Sequence, residues 1–92
     1  MKVIIPTPLR PSMNNQDVLD LNFEGTIQQL LETLVRDYPK VRVYLLDDNN
    51  ALRPFINVYV NDTDCRDLEA VNTPLSKQDT VSLLPSIAGG SH

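Results

Sequence analysis

Few residues in this chain have the chemistry to act on a substrate, and they are scattered. The single histidine, His92, is the last residue, with nothing beside it to orient it as a base or a metal ligand. The single cysteine, Cys65, stands between Asp64 and Arg66. A neighbouring guanidinium favours a thiolate, but a nucleophile also needs a general base, and none is near. The simpler role is a small apolar side chain at a strand position. Asp62, Asp64, Asp67 and Glu69 have the look of a calcium-loop fragment. The glycine and distal glutamate of that pattern are missing, so the segment reads as a solvated turn. No phosphate loop, nucleophile elbow or pair of histidines occurs. Neither a catalytic set nor a metal site can be assembled, and the chain by itself reads as a non-enzyme.

One unusual feature remains, the ending "SIAGGSH". Two of the three glycines, Gly89 and Gly90, fall together just after an apolar run, with Ser91 and His92 beyond them. Pro85 ends the last strand because it has no N–H for the sheet ladder. Ser86, Ile87, Ala88, Gly89 and Gly90 then continue with shrinking side chains. Residues 86–92 are therefore expected to form a flexible tail on a domain of residues 1–85. Fully extended, the stretch from Ser86 to Gly90 reaches roughly 17 Å, at ~3.3 Å per residue. Glycines lack Cβ, so they pass a narrow channel and leave a carbonyl open to approach from either side. Such an arm suits delivery of the Gly90 acyl carbon into another protein's active site. The alternative is a frayed terminus whose glycines mean nothing.

The domain behind this arm is bounded by composition. Ninety-two residues make one modest core. Twelve acidic against eight basic residues leave a net charge of −4, which disfavours nucleic acid. No apolar run approaches the ~18 residues of a membrane span. The start "MKVIIPTPLR" is broken by prolines before it can serve as a signal peptide, so the cytoplasm is expected. One cysteine excludes an intramolecular disulfide and any thiolate-held iron–sulfur or zinc site within this chain.

Patterning supplies the elements. "KVIIP" reads as a strand that Pro6, Pro8 and Pro11 turn into a loop. In "DVLDLNF", Leu19, Leu21 and Phe23 alternate with Val18, Asp20 and Asn22, which predicts a half-buried strand hairpinned to the first. Thr26 and Gln29 have capping-box spacing ahead of a helix whose stripe is Ile27, Leu30, Leu31, Leu34 and Tyr38. Pro39 stops it. "FINVYVND" places Ile56, Val58 and Val60 on one face and Phe55, Asn57 and Tyr59 on the other. A minor element follows near Cys65 to Leu68. "TVSLLP" is the last strand, with Val81 and Leu83 inward and Ser82 and Leu84 outward. One helix cannot cover two sheet faces. The expectation is an α+β fold, the β-grasp of ubiquitin-like proteins: a mixed sheet of four to five strands on one main helix. The bare face would then dock partners through Phe55, Tyr59 and Leu84, extended toward the tail by Ile87. Asp62, Asp64 and Arg66 would add a polar rim.

Three segments, "IPTPLR", "FINVYVNDTDCR" and "LSKQDTVSLLPSIAGG", resemble the ThiS/MoaD family of sulfur carriers, and within it the CysO-like branch. The resemblance spans nearly the whole chain. Cys65 stands where related sequences usually carry an aliphatic residue, which agrees with a packing role. The resemblance implies that a ubiquitin-activating-type adenylyltransferase uses ATP to convert the Gly90 carboxyl to an acyl-adenylate. A persulfide or sulfide would displace AMP to leave a thiocarboxylate. A second enzyme, a sulfur-accepting synthase, would take the sulfur. Cysteine biosynthesis is the favoured destination, with molybdopterin, thiamin and transfer RNA thiolation as the others. The carrier would bind no cofactor of its own. Ser91 and His92 depart from the family's Gly-Gly ending and imply either removal by a JAMM-type zinc peptidase or a cloning remnant. The competing functions are a ubiquitin-like modifier conjugated through Gly90 and a binding module with an inert tail.

Overall fold

The first strand, β1 (Lys2–Ile4), pairs antiparallel with β2 (Val18–Asp20), placing Val3 opposite Leu19 and Ile4 opposite Val18. This hairpin belongs to a computed structural model that describes residues 1–86. The loop between the two strands is not irregular. Thr7–Met13 forms a 3-10 helix with Pro8 in its first turn and Pro11 inside it. Prolines were expected to exclude helix here. In a first turn the missing N–H costs nothing because it has no helical partner. Leu9 and Met13, both buried, anchor the turn to the core. Arg10 Nε donates to the Ile5 carbonyl at 3.0 Å.

The main helix, α1 (Ile27–Asp37), begins with the capping box its sequence predicts. Gln29 N–H donates to Thr26 Oγ1 at 3.2 Å, and Thr26 N–H donates to Gln29 Oε1 at 2.9 Å. Ile27, Leu30, Leu31 and Leu34 are buried to within about one per cent. Each contributes on the order of 1.5–3 kcal/mol by leaving water. Tyr38 caps the helix end half-buried, and its hydroxyl accepts from Gln16 Nε2 at 3.0 Å. Pro39 ends α1 but not helical geometry: a 3-10 turn (Pro39–Val41) leads directly into α2 (Arg42–Leu45). Pro39 supplies the first residue of that turn, where its fixed φ is an asset. Val41, Leu45 and Leu46 close the helix side of the core.

Gly25 sets the entry to α1. It forms β3 (Gly25–Thr26), which pairs with β6 (Pro74–Leu75) in a two-residue ladder too short to leave a periodic signal. Its φ is +150°, and an added Cβ would lie 2.5 Å from Gln29 Oε1 and 3.1 Å from Phe23 Cζ. Gly25→Ala therefore strains the backbone and pushes out the side chain that completes the capping box. We expect a loss of about 1–3 kcal/mol, read as a lowered urea midpoint with an unchanged m-value. Equal midpoints would refute this account of Gly25.

The remaining strands are β4 (Ile56–Val60), β5 (Thr63–Asp64) and β7 (Thr80–Pro85). The sheet order is β2-β1-β7-β4-β5, with β1 and β7 parallel and the other pairs antiparallel. β4 and β5 are joined by Asn61 and Asp62, both at positive φ, a two-residue turn whose twist suits a hairpin. Asn61 also ties this hairpin to β7: its Oδ1 accepts from Thr80 N–H at 3.0 Å and its Nδ2 donates to Asp79 Oδ1 at 2.8 Å. Val3, Leu19, Ile56, Val58, Val60, Val81 and Leu83 point from this sheet onto the α1 stripe. The fold is a mixed five-stranded β-grasp, and among the described residues α1 packs on one face of the sheet.

Candidate functional site

The face that the helices leave bare is organised by strand register. Val18 lies opposite Ile4, Ile4 opposite Ser82, Ser82 opposite Tyr59, and Tyr59 opposite Asp64, so one cross-strand row spans all five strands. Leu84 stands one step along β7, opposite Asn57. It is thereby a diagonal neighbour of Tyr59 and of Ile4, at the ~7–8 Å spacing that large side chains bridge. Phe55 precedes β4, and its carbonyl accepts from Ser86 N–H at 2.6 Å. The last hydrogen bond of the described chain thus places Phe55 beside the point where β7 gives way to the terminal segment.

Of the three docking residues expected from sequence, Phe55 and Leu84 are 45% and 44% exposed, and Tyr59 is partly buried. Two more were missed. Ile4 is 38% and Val18 43% exposed, and both join the same row. Their signal was present in the alternation of β1 and β2. It was masked in β1 because Val3, Ile4 and Ile5 are all β-branched and the phase cannot be told. Lys2 and Asp20 stand opposite each other across β1 and β2 at the foot of this face.

The polar rim is more self-contained than expected. Arg66 Nη2 reaches Asp64 Oδ2 at 2.6 Å, and Arg66 N–H donates to Asp64 Oδ1 at 2.9 Å. That guanidinium holds the Asp64 carboxyl below its ordinary range. Arg66 is accordingly occupied with Asp64 and does not activate Cys65. The Cys65 thiol is buried, and burial pushes its pKa up, with the Asp64 charge adding to the effect. It packs as a small apolar side chain. Asp62 supplies the second of the two positive-φ positions of the β4–β5 turn. Among the described residues no group of three or more His, Cys, Asp or Glu is placed to hold a metal ion. Nor is any helix among them long and apolar enough to cross a membrane. Ile87, Ala88, Gly89 and Gly90, together with Ser91 and His92, lie outside the described residues.

A five-stranded β-grasp sheet with one bare apolar face frames a comparison with known proteins. The family model described as the ThiS family matches residues 3–90, from β1 through Gly90. The chain belongs to the ThiS family. The sulfur carrier protein CysO of Mycobacterium tuberculosis is 33% identical over 90 residues, covering 96% of each chain. Among solved structures, the Amycolatopsis orientalis BexX/CysO complex contains a chain that superposes with a TM-score of 0.84 at 29% identity, covering 97% of this chain and 98% of that one. Small archaeal modifier protein 1 of Methanosarcina acetivorans superposes with a TM-score of 0.85 at 25% identity, covering 97% and 94%. The relatives named include sulfur carrier proteins and a small archaeal modifier protein.

Proposed function

We propose that this protein is a sulfur carrier whose working group is the Gly90 carboxyl. An adenylyltransferase of the ubiquitin-activating type attacks ATP with that carboxylate, releasing pyrophosphate and leaving an acyl-adenylate. Sulfide forms a bond to the acyl carbon as the bond to AMP breaks; a persulfide donor gives an acyl disulfide instead, whose S–S bond a second thiol of the donor protein cleaves, becoming a disulfide with the first. The resulting thiocarboxylate carries the sulfur to an acceptor in a synthase, with cysteine biosynthesis the favoured pathway. No cofactor resides on the carrier, and ATP is consumed by the activating enzyme. The site of action is the cytoplasm. The carrier provides no acid or base. It provides a docking face, Ile4, Tyr59, Leu84 and Phe55, and an arm that starts at its edge.

The observation that carries this reading is the family match ending at Gly90, with Ser91 and His92 outside it. While those two residues are attached, the Gly90 carbonyl is an amide and cannot be adenylated. Processing by a JAMM-type zinc peptidase exposes it. Intact-mass analysis tests the scheme: the chain ending at Gly90, given ATP, sulfide and the activating enzyme, is expected to exchange one oxygen for sulfur. The 92-residue chain is expected to stay unchanged until the dipeptide is removed. Sulfur gained by the uncut chain would overturn it. Likeness to an archaeal modifier protein supports a second reading, conjugation of Gly90 to lysines of other proteins. Its signature is an isopeptide-linked ladder on a blot, where a carrier yields only a labelled small molecule.

A further inference from the structure

A groove of about 390 Å³ lies beside the first half of β4. Ile56, Val58 and Cys65, nearly closed to water, lie at its base, and Leu52, Pro54 and Val71 form its apolar walls. The polar groups along it are already engaged. Ile56 N–H donates to the Arg53 carbonyl at 3.1 Å, and Arg66 is paired with Asp64. Asp47, whose carboxyl the Ala51 and Asn49 N–H groups hold below its ordinary range, also feels the Arg53 charge. What the groove offers an occupant is apolar surface.

The end of β7 points to that occupant. Leu83 lies opposite Val58 and Pro85 opposite Ile56, with Val58, Ile56 and Leu83 buried on the same side of the sheet. Ser86 N–H donates to the Phe55 carbonyl at 2.6 Å, which holds this register through the last described residue. One step further in the same register sets position 87 opposite Pro54, a wall of the groove. Strand alternation assigns that position to the side of Leu83 and Pro85, not to the side of Leu84. The residue there is Ile87, the one large apolar side chain between Pro85 and His92.

We propose that Ile87 docks in this groove in the free protein and stores the arm against the domain until a partner enzyme draws it out. An isoleucine gains about as much by leaving water as the chain loses when two residues of backbone are fixed. Docked and free arms therefore coexist, and release takes little energy from the partner. The docking needs no sulfur chemistry; its use as a store for the Gly90 carboxyl rests on the carrier reading. Nuclear Overhauser contacts in the isotopically labelled 92-residue chain test it with no enzyme present. Contacts are expected from the Ile87 methyls to Leu52 and Val71. Ile87→Ser should abolish them and shift the amides of Leu52, Val58 and Val71, whereas Ile87→Val should keep both. Contacts from Ile87 to Tyr59 or Leu84 would put it on the bare face and overturn the proposal. So would groove amides that stay fixed in Ile87→Ser, or contacts seen only between differently labelled copies, which would make a second chain the donor. A chain that docks Ile87 but gains no sulfur would refute the carrier reading alone. One that gains sulfur with Ile87 making no groove contact would refute this proposal alone.

Discussion

Ending the chain at Ala88 is expected to abolish adenylation while leaving thermal stability unchanged. Relative to the chain ending at Gly90, two fewer residues withdraw the terminal carboxyl by roughly 6–7 Å, at ~3.3 Å per residue. A misplacement of ~1 Å already costs on the order of 10²-fold when reacting atoms must be held in line, so the loss here should exceed that. Among the described residues the last strand ends at Pro85 and the last ladder bond comes from Ser86, so the deletion touches neither. Pyrophosphate exchange with the activating enzyme measures the first effect, and a melting curve measures the second. Retention of most of the exchange activity by the shortened chain would mean that the Gly90 carboxyl is not the group activated. A large drop in melting temperature would mean that the terminus supports the fold.

The second large effect concerns Leu84, which sits at the centre of the bare face. It lies diagonal to both Ile4 and Tyr59, near the end of β7. Central, desolvated apolar residues carry most of the energy of an interface. Replacing Leu84 with aspartate would force a carboxylate into that contact and is expected to lower coupling to the activating enzyme by roughly 10–100-fold, the ~2 kcal/mol or more of a hot spot. The residue is 44% exposed, so folding should be little affected. Val43→Asp provides the control. Val43 is 63% exposed on α2, on the helix side of the sheet, and its loss should leave coupling unchanged. Equal effects of both substitutions would show that charge, not this face, controls docking. No effect of Leu84→Asp would remove the bare face from the mechanism.

Both predictions depend on features that differ in how they can be read. The α1 helix is legible in the sequence because its information is local. Thr26 and Gln29 are three residues apart, the apolar stripe repeats every three or four, and Pro39 follows. The inward faces of β4 and β7 are legible for the same reason: alternation survives in "INVYV" and "TVSLLP". The Gly-Gly motif also stands in the sequence without help from the fold. Together with the strand–strand–helix–strand order, these local signals determine a β-grasp domain that ends in a carrier-like motif.

Other features depend on which strands become neighbours, and that is a property of the folded chain. Ile4 and Val18 join Tyr59 and Leu84 only because β1 lies between β2 and β7, a parallel pairing of segments almost eighty residues apart. The 3-10 helix at Thr7–Met13 forms against its prolines because Leu9 and Met13 find buried sites on elements distant in sequence. Sequence favours a packing role for Cys65 over activation by Arg66, and the fold supplies the physical reason: it turns that guanidinium onto Asp64 and buries the thiol. Adjacent residues need not share an environment. Sequence by itself determined the local periodicities, the caps and the terminal motif, because each is encoded within one turn or one strand. Tertiary structure alone decided which side chains share the bare face and which charges are already paired, because both depend on contacts between segments that only folding brings together.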